Sequence, residues 1–354
     1  MTKTMSSMGV STLTVGRSTK PSHSGAVYKL TQKLGEGRNG VVFKGYNTGD
    51  TSDGFDPADT EPVAIKFLKC NQGGVAAQML RREVALQAIL KSPYLANVED
   101  YLADPEQPYL VMEYVPETLF GLFRKKAINQ KVIMNLIRQT PLLLKDFLNA
   151  GIVHLDLKPN NVGYQGGVIG EEVDLEDYDN GGIIALDYGL ALLLPLNGGS
   201  IVRHTGTAQT LPYSAPEFVQ NGEVNRTTDT YGIGRTLEWV LTGVLSESPA
   251  EFRENVISYH GEKPPQSLIE MYAAMTAPDM SGRPSPEELE RIATPVVAEL
   301  EERTILFSAK SIQKSPAPAD ERTYARADWS SVDEPTSSEL RALEMISEKT
   351  SRVI

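Results

Sequence analysis

The 354-residue chain has one cysteine, Cys70, and only two tryptophans. A lone cysteine excludes an internal disulfide framework and a zinc site built on cysteines. Histidine is also sparse: His23, His154, His204 and His260 are scattered, which argues against a histidine-rich metal site. Long apolar runs are missing. The longest, over residues 183–196, is broken by Asp187 and Pro195, so no membrane span is expected. The first residues hold no apolar stretch of the kind a secretory signal needs. There is no internal repeat.

What is present fits a globular chain. It is 40% hydrophobic and 23% charged, enough to bury a sizeable core. The net charge of −12 argues against nucleic acid as a partner, because phosphate binding needs basic surface. That charge is unevenly spread. Residues 1–29 contain four bases and no acid, and are rich in Ser and Thr. They read as a disordered arm over residues 1–27, or alternatively as a plastid or mitochondrial transit segment. Without such targeting, an intracellular, cytoplasmic location is the default. Residues 301–354 read as a tail, with a Pro/Ala-rich linker at 314–320 and a short helix at 337–347. Residues 28–300 form the central domain. Within it, residues 47–62 carry five acids and residues 165–182 carry six, with no base in either. Both read as exposed acidic insertions at which a basic partner could dock.

Hydrophobic periodicity predicts strands over 28–34, 41–46, 63–68 and 109–114, and a helix over 76–90. Residues 131–148 read as one helix kinked at Pro141, or as two helices with Pro141 opening the second. Further helices are predicted over 230–241 and 266–275. The first third is therefore mostly β with one helix and the rest mostly α, an α+β pattern in two lobes.

Several segments carry chemistry. Leu34-Gly35-Glu36-Gly37-Arg38-Asn39-Gly40-Val41-Val42 places bare backbone N–H groups between two strands, suited to a phosphate or to an ordinary turn. Lys66 lies in the apolar strand Val63-Ala64-Ile65-Lys66, where a buried ammonium needs a carboxylate or phosphate partner. Glu83 on the next helix is a candidate; an edge lysine reaching solvent is the alternative. His154-Leu155-Asp156-Leu157-Lys158-Pro159-Asn160-Asn161 supplies a base, a cation and a neutral oxygen ligand in eight residues, or a polar surface loop. Asp187-Tyr188-Gly189 ends an apolar strand and suits a metal ligand or a plain turn.

Taken together with Ala215-Pro216-Glu217, these segments resemble the signature set of the eukaryotic-type protein kinase superfamily, in the right order over residues 28–300. The resemblance implies a two-lobed α+β kinase fold. It also implies a Ser/Thr protein kinase that uses ATP and Mg²⁺ and acts on a protein substrate. Leu34, Gly35, Gly37, Gly40, Val42 and Ala64 would enclose the nucleotide. Lys66, paired with Glu83, would hold its phosphates. Met112 would be the gatekeeper, with Glu113 and Val115 in the hinge. Asp156 would be the catalytic base and Lys158 would neutralise the γ-phosphoryl, while Asn161 and Asp187 would hold the metal. Thr210 would sit near the base. Asp229 would brace the catalytic loop and Arg283 would pair with Glu217.

The chain departs from that pattern in four places. Leu155 stands where an arginine commonly gathers a phosphorylated activation segment, so phosphorylation at Thr205 or Thr207 is expected to matter less. Tyr188 replaces a phenylalanine, and its hydroxyl is expected to find a hydrogen bond. Asn39 replaces an aromatic at the tip of the glycine loop. Gln87 falls where an aliphatic side chain normally stacks. Buried and unpaired it would be costly, and would weaken the active position of the helix or signal dependence on a partner. The alternative expectation is that it is paired or partly exposed. Two further readings compete: a pseudokinase scaffold and a small-molecule kinase of similar fold.

Overall fold

A computed structural model describes residues 14–37, 40–48, 60–69, 75–90, 92–104, 106–165, 168–169, 172–173, 182–195, 199–202 and 212–303. Residues 1–13 of the arm, Asn39, residues 49–59, most of the second acidic segment, Thr205, Thr207, Thr210, and the tail from 304 with its expected helix lie outside them. The chain divides into two compact units, whose described parts are residues 14–90 with 96–114, and residues 92–95 with 115–303.

The first unit is a five-stranded antiparallel sheet with one helix. Its strands are β1 (Tyr28–Glu36), β2 (Gly40–Asn47), β3 (Pro62–Leu68), β4 (Val98–Leu102) and β5 (Tyr109–Glu113), in the order β1-β2-β3-β5-β4. The helix, α1 (Val75–Ile89), lies between β3 and β4 in sequence. The central strand β3 is buried on both faces, which explains its continuous apolar run. Side chains alternate across the pleat. Val63, Ile65 and Phe67 join a core with Leu30, Phe43, Tyr109 and Val111. Ala64 and Leu68 join Leu80 and Val84 of α1 on the other face. That alternation puts Lys66 on the helix-covered face.

The arm is corrected over residues 14–27. Leu30 N–H donates to Arg17 O and Gly16 N–H to Leu30 O, so the arm adds a short edge to β1. Asp100 on β4 accepts hydrogen bonds from the hydroxyls of Ser22, Ser24 and Tyr28. Tyr109 donates its hydroxyl to Lys20 O at 2.6 Å. A Ser-rich composition that cannot build a core by itself is thus held by partners more than 70 residues away.

The second unit is mostly helical. After the two-residue strand β6 (Glu117–Thr118) come α2 (Leu119–Arg124) and α3 (Gln130–Ala150). Asn129 caps α3 by accepting from Val132 N–H, and Gly151 ends it in the left-handed conformation at φ 67°. Pro141 sits inside this single helix, which decides between the two sequence readings. Strands β7 (Ile152–Val153), β8 (Val162–Gln165), β9 (Val168–Ile169), β10 (Glu172–Val173), β11 (Gly182–Ala185), β12 (Leu192–Leu193) and β13 (Ile201–Val202) follow. β9 and β10 pair antiparallel, so part of the acidic segment expected to be loop is a hairpin. The remaining elements are α4 (Pro216–Asn221), β14 (Glu223–Val224), α5 (Thr228–Thr242), α6 (Pro249–His260), α7 (Gln266–Met275) and α8 (Pro286–Glu302). Helix α5 is buried along nearly its whole length. No described helix is long and apolar enough to cross a membrane.

Candidate active site

In the first unit, β1 and β2 close a hairpin over the glycine segment through Gly37 N–H to Gly40 O at 2.9 Å. Gly40 is required there, because a Cβ would lie 2.3 Å from Phe67 O. Around Gly35 and Gly37 the space is open, which leaves bare backbone for a ligand to approach. Glu36 accepts from Lys33 at 2.6 Å and pairs with Lys69 at 2.7 Å, and these two ammonium groups hold its carboxyl down to about 2. Leu34 on this hairpin is 39% exposed, while Val42 is half-buried and Ala64 buried.

Lys66 Nζ donates to Glu83 Oε1 at 2.7 Å, with the two side chains only 4% and 3% exposed. A charge pair so deep is costly to break, because either partner alone would be an uncompensated buried ion. One turn on from Glu83, Gln87 is also buried, and neither amide atom has a hydrogen-bond partner. The expectation that Gln87 would be paired or exposed therefore fails. A buried amide left unsatisfied costs about 1–3 kcal/mol. Met112 packs in the cluster of Ala64 and Val84. Glu113 ends β5 and accepts the side-chain amide of Asn97 at 3.0 Å.

In the second unit, β7 leads into a loop from His154 to Asn161. Asn161 donates its amide to Asp156 Oδ2 at 2.7 Å and to Asp156 O at 3.0 Å. Lys158 Nζ lies 3.1 Å from the same Oδ2. The Asp156 carboxylate is thus held by an amide and an ammonium at once. Asp229, near the start of α5, accepts the backbone N–H of His154 at 2.6 Å and of Leu155 at 2.8 Å. Burial is the largest influence on Asp229 and pushes its carboxyl up, against the pull of His154 and these two N–H groups. Thr236, two turns further along α5, donates its hydroxyl to Leu157 O at 3.0 Å.

His154 is fully buried, and burial pushes its imidazole down, so it is neutral at pH 7. Its Nε2 lies 3.0 Å from Leu186 O and its Nδ1 accepts from Asp156 N–H at 3.3 Å, which assigns the proton to Nε2. The ring stacks edge-on against Tyr188 at 4.8 Å and tilts against Phe147 at 5.8 Å. The Tyr188 hydroxyl has no hydrogen-bond partner, contrary to expectation, and burial pushes its pKa well above the usual phenol value, so it stays protonated.

Leu155 and Asp187 have φ of 68° and 62°, a left-handed conformation rare for residues with side chains. Such strain costs on the order of 1–3 kcal/mol each and concentrates at functional sites. Leu155 packs with Val153, Leu190, Leu192, Leu194, Phe218 and Val224. Where the resemblance leads one to expect a guanidinium, there is an apolar plug. Glu217 and Arg283 form a bidentate pair, each contact at 2.7 Å, as expected.

Among the described residues no three or more His, Cys, Asp or Glu side chains cluster as a metal site. Asn161 spends its N–H₂ group on Asp156, which leaves its carbonyl oxygen for a cation. An Asp carboxylate with one carboxamide oxygen is the sparse all-oxygen set that Mg²⁺ takes when phosphates and water complete its shell. The residues present fit that ion.

A family model described as the protein kinase domain matches residues 28–292. The chain is 27% identical over 263 residues to a hormonally up-regulated neu tumor-associated kinase homolog A of Xenopus laevis. It is 28% identical over 247 residues to the serine/threonine-protein kinase pkn2 of Myxococcus xanthus. It is 25% identical over 276 residues to a probable serine/threonine-protein kinase PknB of Lactococcus lactis. These matches cover 73%, 68% and 72% of this chain, but only 33%, 27% and 39% of those relatives' lengths.

Proposed function

The chain belongs to the protein kinase family, and on that premise we propose that it is a Ser/Thr protein kinase, moving the γ-phosphoryl of Mg-ATP to a protein hydroxyl. The observation that carries this reading is the Asp156 carboxylate, gripped by Asn161 and Lys158 on a loop tied to α5 through Asp229. In this reading Asp156 accepts the proton of the acceptor hydroxyl as its oxygen attacks the γ-phosphorus. The bond to the bridging oxygen breaks and ADP leaves. Lys158 neutralises charge on the transferring group. Lys66, oriented by Glu83, holds the α- and β-phosphates, and the open backbone at Gly35 and Gly37 with Gly40 covers them. Leu34, Val42 and Ala64 supply apolar wall, and Glu113 with Val115 the hinge. Asn161 and Asp187 hold Mg²⁺, which neutralises phosphate charge when bound.

The proposed kinase does not need activation-segment phosphorylation. Leu155 supports this, because an apolar side chain packed among leucines offers nothing for a phosphate to bind. The unpartnered amide of Gln87, on the same helix as Glu83, favours a pseudokinase scaffold instead, as does the absence of a guanidinium at Leu155. The two acidic segments, 47–62 and 165–182, are where a basic partner would dock. Labelled ATP with Mg²⁺ and generic protein acceptors tests the reading. Phosphate on Ser or Thr is expected, at a rate unchanged by prior phosphatase treatment. No transfer would leave the scaffold, and loss after phosphatase would overturn the role given to Leu155.

A further inference from the structure

Helix α5 holds more than the catalytic loop. Asp229 and Thr236 fix residues 154, 155 and 157, as described above. Between them, a Cβ on Gly232 would lie 3.3 Å from both Leu157 O and Tyr213 O. The helix backbone therefore touches the catalytic loop and the segment ahead of Ala215-Pro216-Glu217 at one point. One turn on, Arg235 donates from Nε to Pro212 O at 3.2 Å. Its Nη1 donates to Ser246 O at 2.7 Å and to the Tyr272 hydroxyl at 2.9 Å, and pairs with Glu238 Oε2 at 2.7 Å. Glu238 is fully buried and also receives the Tyr272 hydroxyl at 2.8 Å and the Ser246 N–H. The charge is thus satisfied inside the unit by one edge of the guanidinium. The Nε edge reaches outward to a loop carbonyl.

Residues 212–217 are held at both ends by an arginine. Arg283 grips Glu217 at the far end and stacks over the Tyr231 ring at 5.1 Å. Arg235 grips Pro212 at the near end. Of the two arginines, Arg235 stands on α5, next in sequence to the Thr236 whose hydroxyl holds Leu157.

We infer that Arg235 is a positioning residue for the acceptor peptide: through Pro212 it fixes residues 212–215 at a set distance from the Asp156 loop. This rests on the kinase reading for its consequence, since it takes the segment leading into Ala215-Pro216-Glu217 to shape the peptide groove, as those residues do in the protein kinase family. A planar fork is needed for the task. A lysine could keep the contact with Glu238, but a single ammonium does not also reach Pro212 O with the geometry of Nε.

Arg235→Lys separates the two edges. The expected result is a peptide KM raised about tenfold, with KM for ATP and kcat within about twofold, and faster amide hydrogen exchange at residues 213–215. Tyr272→Phe loosens the same buried network without touching Pro212, and is expected to lower the melting temperature without raising peptide KM. An unchanged peptide KM in folded Arg235→Lys, or an equal rise in Tyr272→Phe, overturns the inference. Amide exchange needs no turnover. If the wild-type chain transfers no phosphate, the kinase reading fails, while unchanged protection at 213–215 in Arg235→Lys still decides against the positioning role.

Discussion

Asp229 Oδ1 accepts the backbone N–H of Leu155 at 2.8 Å, and Leu155 has φ of 68°. A carboxylate on a buried helix thus holds the residue before Asp156 in a conformation its own side chain disfavours. The second oxygen takes His154 N–H, so both acceptors are committed.

Asp229→Asn tests that hold. An amide offers one oxygen, and its N–H₂ group would face the other backbone N–H, leaving a buried donor unsatisfied. Stability is expected to fall by about 1–3 kcal/mol. Phosphotransfer is expected to fall on the order of tenfold or more, because the Asp156 loop loses its fixed geometry. Urea unfolding and kcat measure the two effects, and an unchanged kcat in the folded variant would show that the loop is held by other means.

Gln87→Leu is expected to stabilise the protein. The substitution removes a buried amide with no partner and keeps nearly the same volume, next to apolar neighbours on α1 such as Val84 and Leu86. A gain of about 1 kcal/mol is expected in urea unfolding. A loss of stability would mean that the amide is satisfied in solution.

His260 makes stability depend on pH. Burial lowers its imidazole to about 4, outweighing the hydrogen bond between Nε2 and Leu241 O at 2.7 Å. The Tyr259 ring packs edge-on at 4.8 Å. Above about pH 6.5 the ring is neutral in both folded and unfolded chains and costs nothing. Between about 6.5 and 4 the unfolded chain takes up a proton that the folded chain refuses, so stability falls as pH falls. The contribution saturates on the order of 3–4 kcal/mol. His260→Gln removes it, so the stability gap between wild type and variant is expected to shift in the variant's favour from pH 7 to pH 4.5. A gap independent of pH would show that the folded ring titrates normally.

The parts of this molecule that were legible in sequence are those with short-range causes. Alternation along β3 places Lys66 on one face and Ile65 on the other, and a spacing of four puts Glu83 and Gln87 one turn apart on α1. The helix over 266–275 matched its apolar spacing residue for residue. No expectation from sequence covers helix α8, although its capping box, Ser285 with Glu288 and Pro286 between them, is written in the chain. Helix α6 gave little to read, since only Phe252 and Val256 are buried along it. What stayed hidden depends on partners distant in sequence. The Ser-rich stretch 14–27 looks disordered until Asp100 is placed beside Ser22 and Tyr28. Arg235 reads as one more basic residue until Pro212 O lies 3.2 Å away. The left-handed turn at Leu155 has no local signal, because glycine would be the usual residue there.

The most direct measurement pairs phosphotransfer with nucleotide binding in Asp156→Asn. The account expects transfer of labelled phosphate to protein acceptors to be abolished, while ATP binding, measured by titration calorimetry with Mg²⁺, persists near the wild-type affinity. Retained transfer in Asp156→Asn would contradict the assignment of Asp156 as the group that takes the acceptor proton.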